Sequence, residues 1–159
     1  MVIQTVDKCY EVVLSLEETP QISFFVCREQ GQKKEFLIAE IRDEELSHMA
    51  VPFFMDMKYK QESDDFVEFF LKGSILHLVF LWRSYVPLTL RLDTEEVTVP
   101  QRLEMCRSLM KHILAQNLPC YLQYEALRTD NLTVSESDEI WPNYILREMD
   151  SMDFVHPIH

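Results

Sequence analysis

Ile22-Ser23-Phe24-Phe25-Val26-Cys27 and, close behind it, Phe36-Leu37-Ile38-Ala39-Glu40-Ile41 set the reading of the whole chain. Both are short runs rich in Ile, Phe and Val, bounded by turn residues, which is how buried strands read. Glu17-Glu18-Thr19-Pro20 turns the chain before the first run. Gln30-Gly31-Gln32 turns it between the two, with Gly31 expected in the left-handed region. Upstream, Tyr10, Val12 and Leu14 alternate with Glu11, Val13 and Ser15, which predicts a further strand. The segment 10–41 therefore reads as a meander of antiparallel hairpins.

Working outward, Asp43-Glu44-Glu45 puts acid where a helix N-terminus favours it. A short helical or irregular stretch is expected from Asp43 or Ser47 through Met57, limited by Pro52, which lacks an amide hydrogen. Phe66 to Leu71 and Ile75 to Trp82 predict another hairpin, turning at Lys72-Gly73-Ser74. Arg83 to Glu96, with Pro87, reads as a connector. The strongest helix signal runs from about Pro100 to Asn117. Thr98 is its N-cap, and Gln101 three residues on completes a capping box. Leu103, Cys106, Met110, Ile113 and Leu114 recur at helical spacing as its apolar face, with Arg102, Arg107 and Lys111 on the polar side. Asn117 and Pro119 end it. Short extended pieces are expected at Cys120 to Leu122, Leu132 to Val134 and Ile140 to Leu146. The expected fold is α+β: an antiparallel sheet of about five strands with a short helix, then one long helix, a loop and a small β-hairpin.

The 159 residues suit one domain, divided as 1–82 sheet, 83–98 connector, 99–150 helix–loop–hairpin and 151–159 tail. At 47% hydrophobic and 26% charged residues, the composition is that of a globular protein rather than a disordered tail. The 15 basic and 27 acidic residues leave a net charge of −12, which repels phosphate backbones and anionic membranes, so no nucleic-acid partner is expected. Glycine occurs only at Gly31 and Gly73, which excludes a P-loop and a dinucleotide fingerprint. Cys9, Cys27, Cys106 and Cys120 form no C-x-x-C pair. Three sit among apolar neighbours and read as packed thiols of a reducing, cytoplasmic compartment, with Cys120 the least buried. Residues 1–7 lack the pattern of a signal peptide. No apolar run approaches the ~20 residues of a membrane span. The ending Phe154-Val155-His156-Pro157-Ile158-His159 is not a tidy terminus, so a fragment of a longer protein stays open.

Catalytic and metal signatures are sparse. There is no G-x-S-x-G and no H-E-x-x-H. His77 lies in an apolar strand and reads as a hydrogen-bonded core or edge histidine. His112 falls on the polar side of the long helix, and His156 and His159 are terminal. The acids Glu62-Asp64-Asp65, Asp93-Glu95-Glu96 and Glu136-Asp138-Glu139 lack calcium-loop spacing and read as solvated turns. Phe53, Phe54, Met55, Met57, Phe66, Phe69 and Phe70 form an apolar zone, most of it core, some of it a candidate interaction surface.

The loop Tyr124-Glu125-Ala126-Leu127-Arg128-Thr129-Asp130-Asn131-Leu132-Thr133-Val134 resembles the H-R-D-L-K-P-E-N-I-L catalytic loop of eukaryotic-type protein kinases. Leu127, the basic Arg128, Asn131 and the apolar residues after it fit that spacing, and the meander, helix and hairpin upstream resemble a kinase N-lobe. The resemblance covers about Tyr10 to Leu146. It implies that Ala126 stands where the family's catalytic aspartate would be. It implies that Leu16 to Pro20 replaces the glycine-rich loop and that Ala39 or Glu40 falls at the strand lysine. The D-F-G aspartate falls near Tyr144, which leaves Asn131 as the one position kept. The loop is also similar to the A-P-E-N-I-V-F loop of the EssB/YukC-like subunit of type VII secretion systems, whose cytoplasmic domain is a shortened, inactive kinase-like fold.

These resemblances imply a non-catalytic pseudokinase-like scaffold with no cofactor or metal. It would act by binding protein partners or itself, in the cytoplasm or held at a membrane through a partner or another segment. Two alternatives stand beside it. One is a small α+β enzyme or ligand-binding domain with a pocket between sheet and long helix, using groups such as His77, Tyr124 or Glu125. The other is a plain structural or dimerisation domain.

Overall fold

The computed structural model describes residues 1–60, 63–116 and 118–146. The expectations for Glu62, Asn117, His156, His159 and the tail lie outside these described residues. The fold is α+β, with a six-stranded and a three-stranded antiparallel sheet and four α-helices among the described residues. It divides into two compact units, one of Met1–Trp82 with Ile145 and Leu146, the other of Arg83–Tyr144.

The first unit is built on β1 (Val2–Gln4), β2 (Cys9–Glu18), β3 (Ile22–Glu29), β4 (Glu35–Ile41), β5 (Phe66–Lys72) and β6 (Ile75–Leu81), in the order β1-β2-β3-β4-β6-β5. The expected five strands become six, because Val2–Gln4 is long enough to pair with Glu11 back to Cys9 but too short to show an alternation. Gly31 and Gly73 take φ of +82° and +65°, the left-handed values that glycine adopts cheaply. The alternation expected for Tyr10, Val12 and Leu14 breaks down: Leu14 is exposed, because register shifts between Val12 and Leu14 and between Ser15 and Glu17 turn the strand.

Both faces of the central strands are buried. On one face lie Tyr10, Phe25, Cys27, Phe36, Ile38 and Val79. The alternate residues, among them Phe24, Leu37, Ile41, Leu76, Leu78 and Phe80, are buried on the other. There α1 (Glu44–Lys60) packs against β4, β5 and β6, burying Leu46, Ala50, Phe53 and Phe54. Phe66 joins this layer, its ring 5.5 Å from Phe54 and 5.4 Å from Phe80. Asp43 caps α1, its carboxylate accepting from the Leu46 amide at 3.0 Å. The helix is longer than Pro52 allows by propensity, since Pro52 sits inside it. Pro52 faces solvent, so water can take up the carbonyl it leaves unbonded, while burial of Phe53 and Phe54 next to it holds the turn. Asp65 is not a solvated turn acid but is buried where β5 begins, and its carbonyl accepts from the Leu81 amide at 2.9 Å.

The second unit corrects the sequence reading more often. The expected connector 83–98 contains β7 (Val86–Pro87) and α2 (Leu88–Thr94). The alternating leucines 88, 90 and 92 disguise this helix, and no side chain caps its start. Helix α3 (Val99–Ala115) carries the expected capping box of Thr98 and Gln101. Cys120 to Leu122 is not extended but opens α4 (Cys120–Ala126), with Pro119 at its N-cap. A turn of 3-10 helix (Thr129–Asn131) leads into β8 (Leu132–Val134), which pairs with β7 on one side and β9 (Ile140–Pro142) on the other. The small hairpin is thus part of a three-stranded sheet. Val97, Met105, Leu132, Val134 and Ile140 form its core, with Leu88 and Leu109 packed against them. Two of the cysteines expected to be packed or nearly so, Cys106 and Cys120, are exposed, and all four are free thiols.

The Tyr10 ring is fully buried and its hydroxyl donates to Glu68 across the sheet at 2.7 Å. Tyr10→Phe keeps the packing and loses the charged hydrogen bond, so it should cost about 1.5 kcal/mol. Urea unfolding followed by Trp82 fluorescence measures this.

Candidate functional site

The four positions singled out by the loop resemblance fall in two places. Glu40 lies in the first unit. Its register partners are Ser23 on β3 and His77 on β6, and His77 in turn faces Phe70 on β5. Strand pairing thus sets a polar row across three strands, which ends on the Phe70 ring of the fourth. Glu40 Oε2 lies 3.4 Å from His77 Nε2, and Arg42 Nη1 lies 3.6 Å from Glu40 Oε1. Arg42 also donates to the Ser23 hydroxyl and to the Thr19 carbonyl. The His77 ring stacks on Phe70 at 4.7 Å with planes 4° apart.

The row contains the residue types of a Ser-His-acid relay in the wrong order. Strands lie about 4.8 Å apart, so His77, two strands from Ser23, is roughly 10 Å away and separated from it by Glu40. The imidazole cannot take a proton from the Ser23 hydroxyl, which Arg42 holds instead. What the row does is partner a carboxylate: Glu40, half-buried at the edge of this face, meets the Arg42 guanidinium on one side and the uncharged His77 imidazole on the other. Burial pushes the His77 pKa down. Glu40 and the Ile75 backbone pull it up, and Lys72 adds to the lowering.

Ala126, Asn131 and Tyr144 belong to the second unit, and all three are buried. Ala126 ends α4 and offers no proton acceptor. Asn131 turns inward: its amide nitrogen donates to the Glu125 carbonyl at 3.1 Å, while its carbonyl accepts from the Asn143 amide at 2.8 Å. Arg128 sits between two acids, 3.8 Å from Glu125 and 3.6 Å from Asp130. Asn143, which the sequence reading passed over, copies a strand pairing with its side chain. Its Oδ1 accepts from the Arg83 amide at 3.1 Å and its Nδ2 donates to the Arg83 carbonyl at 3.2 Å. The Arg83 guanidinium in turn lies 4.0 Å from the Trp141 ring, whose other neighbour, at 4.5 Å, is His112. Asparagine amides knit this loop region to its surroundings; no nucleophile and base are brought together in it.

The other candidates do not converge. Tyr124 is exposed, while Glu125, next to it on α4, is buried. No group of three or more His, Cys, Asp or Glu that could hold a metal is found among the described residues. No described helix is long and apolar enough to cross a membrane. An apolar groove of about 350 Å³ opens between α2, α3 and the small sheet, lined by Leu88, Leu92, Met105, Leu109, Leu132 and Ile140 with Arg102 and Cys106 at its edge. No protein-family model matches the chain, and no curated protein matches it in sequence.

Two measurements test these assignments. Asn143→Ala removes both hydrogen bonds to the Arg83 backbone at a buried position and should lower stability by about 2–3 kcal/mol, read from Trp141 fluorescence in urea. The His77 pKa is lowered in the folded state, so below about 6.5 the unfolded chain takes up a proton that the native imidazole refuses. Its contribution to stability is full above that value and is lost as pH falls through it. The urea midpoint should therefore fall more steeply between about pH 7.5 and 5.5 for the wild type than for His77→Gln.

Proposed function

We propose that the chain is a non-catalytic, kinase-like interaction module that works by binding another protein. The observation that carries this reading is the character of the positions aligned with kinase catalytic groups. Ala126 has no group to accept or give a proton, the region of Tyr144 offers no carboxylate for magnesium, and the place of the phosphate-pairing lysine falls to Ala39 or Glu40, neither of them cationic. Glu40 is moreover committed to His77 and Arg42, and Asn131 to the backbone of α4. The element order also bears on this reading: a meander β2–β4, the helix α1 and the hairpin β5–β6 come before α2, the long helix α3, the short helix α4 and the hairpin β8–β9. By the same resemblance, the module belongs to a secretion or signalling assembly of the type VII kind.

A ligand-binding α+β domain is the second reading, and the apolar groove beside α3 favours it. It has no converging acid–base pair at that groove to make it an enzyme site. Isothermal calorimetry with ATP and magnesium, alongside a phosphotransfer assay, tests the first reading. No binding heat up to about 1 mM nucleotide and no labelled product are expected; micromolar binding or turnover would overturn it.

A further inference from the structure

Helix α3 carries two apolar sets. Met105, Leu109 and Ile113, four residues apart, face β9 and the small core. The second set is Val99, Leu103, Cys106, Met110 and Leu114; the first four alternate by four, three and four as a coiled-coil seam does, and Leu114 extends the stripe one turn further. It runs the length of the helix in solvent: Val99 is 69% exposed, Leu103 65%, Met110 50% and Leu114 78%, and Cys106 is exposed as well. With 100° per residue, Arg107 and Lys111 flank this seam on one side, with Glu104, the one acid of the helix, just beyond Lys111, and Arg102, whose Nε donates to the Val97 carbonyl at 3.3 Å, lies on the other. The Arg107–Glu104 pair, 3.9 Å apart and exposed on both sides, is weak enough to leave Arg107 to another charge. A basic-flanked apolar seam is thus set in a chain of net charge −12.

We infer that this face of α3 is a docking surface for an amphipathic helix of another protein, with an apolar seam of its own and acidic flanks. This rests on the interaction-module reading and names its partner. Charge complementarity selects the occupant. A second copy would set Arg107 and Lys111 against the same basic flanks, and two chains of −12 repel each other. An anionic membrane is a broad surface that meets the whole charge of −12, whereas a single docked helix meets only the seam and its basic flanks. Helix-on-helix docking of this kind takes its affinity from the seam and its choice of partner from the flanks.

A display library of single helices, with a fixed leucine seam and flanks randomised over acidic, basic and neutral residues, is panned against the full chain. The enriched helices should carry acidic flanks. Affinity of a synthetic winner should fall at least tenfold with Leu103→Asp or Met110→Asp, and comparably with Arg107→Glu combined with Lys111→Glu. Leu103→Gln and Met110→Gln are milder versions, with folding checked by circular dichroism. No enrichment, basic-flanked winners, or winners indifferent to these substitutions overturn the inference. So does self-association, or binding to vesicles of phosphatidylserine and phosphatidylcholine, that Leu103→Asp abolishes. Nucleotide binding in the calorimeter would remove the kinase-like reading while leaving this result standing, so the two fail separately.

Discussion

Strand β4 is covered on both faces from Phe36 to Ala39, with only Glu35 and Glu40 reaching water, and the architecture of the first unit follows from that. It is hydrogen-bonded to β3 on one edge and β6 on the other. Its alternate residues enter two different apolar layers: Leu37, Ala39 and Ile41 lie beneath α1, and Phe36 and Ile38 join the cluster around Tyr10. Such a strand cannot carry an unpartnered charge, because an ionised group in an apolar layer costs several kcal/mol. Glu40, half-buried, is its one charged position between Phe36 and Ile41, and Arg42 supplies the opposite charge while His77 lies against its other oxygen. The same demand for burial explains α1. The face bearing Phe24, Leu37 and Phe80 needs a cover, and the gain from burying Phe53 and Phe54 against it outweighs the penalty of Pro52 within the helix.

The second unit is held together differently. Its sheet has short strands and a small core, so backbone pairing alone satisfies little. Side-chain amides extend the pairing. Asn143 docks on the Arg83 backbone as another strand residue would, and Asn131 joins the loop to the end of α4. Arg91 adds two ion pairs, its guanidinium 2.6 Å from Glu95 and 2.9 Å from Asp138, where Asp138 takes φ of 61° in the turn between β8 and β9.

Much of this was legible in the residues. The runs Ile22 to Cys27, Phe36 to Ile41 and Ile75 to Trp82 announced buried strands, because a strand covered on both faces reads as an unbroken apolar run. The capping box at Thr98 and Gln101 marked the start of α3 to within a residue. The helices α2 and α4 were not legible. Each has seven residues and no side-chain cap, too short for a period of 3.6 to be distinguished from alternation. Of the candidate positions, Glu40 and His77 were noticed separately, since only strand register makes them neighbours. Asn143 left no signal, because an asparagine that mimics backbone looks like any loop asparagine.

By itself the sequence determined the α+β class, the central strands of the large sheet, the start of the long helix and the excess of acid over base. Those features depend on local spacing and on composition, which survive without knowledge of partners. Only the tertiary structure decided which side of α3 is core. Leu103, Cys106, Met110 and Leu114 fit helical periodicity as well as Met105, Leu109 and Ile113 do, and periodicity cannot tell a face that meets a sheet from one that meets water. The choice fell to the short strands β8 and β9, whose register turns Leu132 and Ile140 toward Met105 and leaves the leucine seam outside.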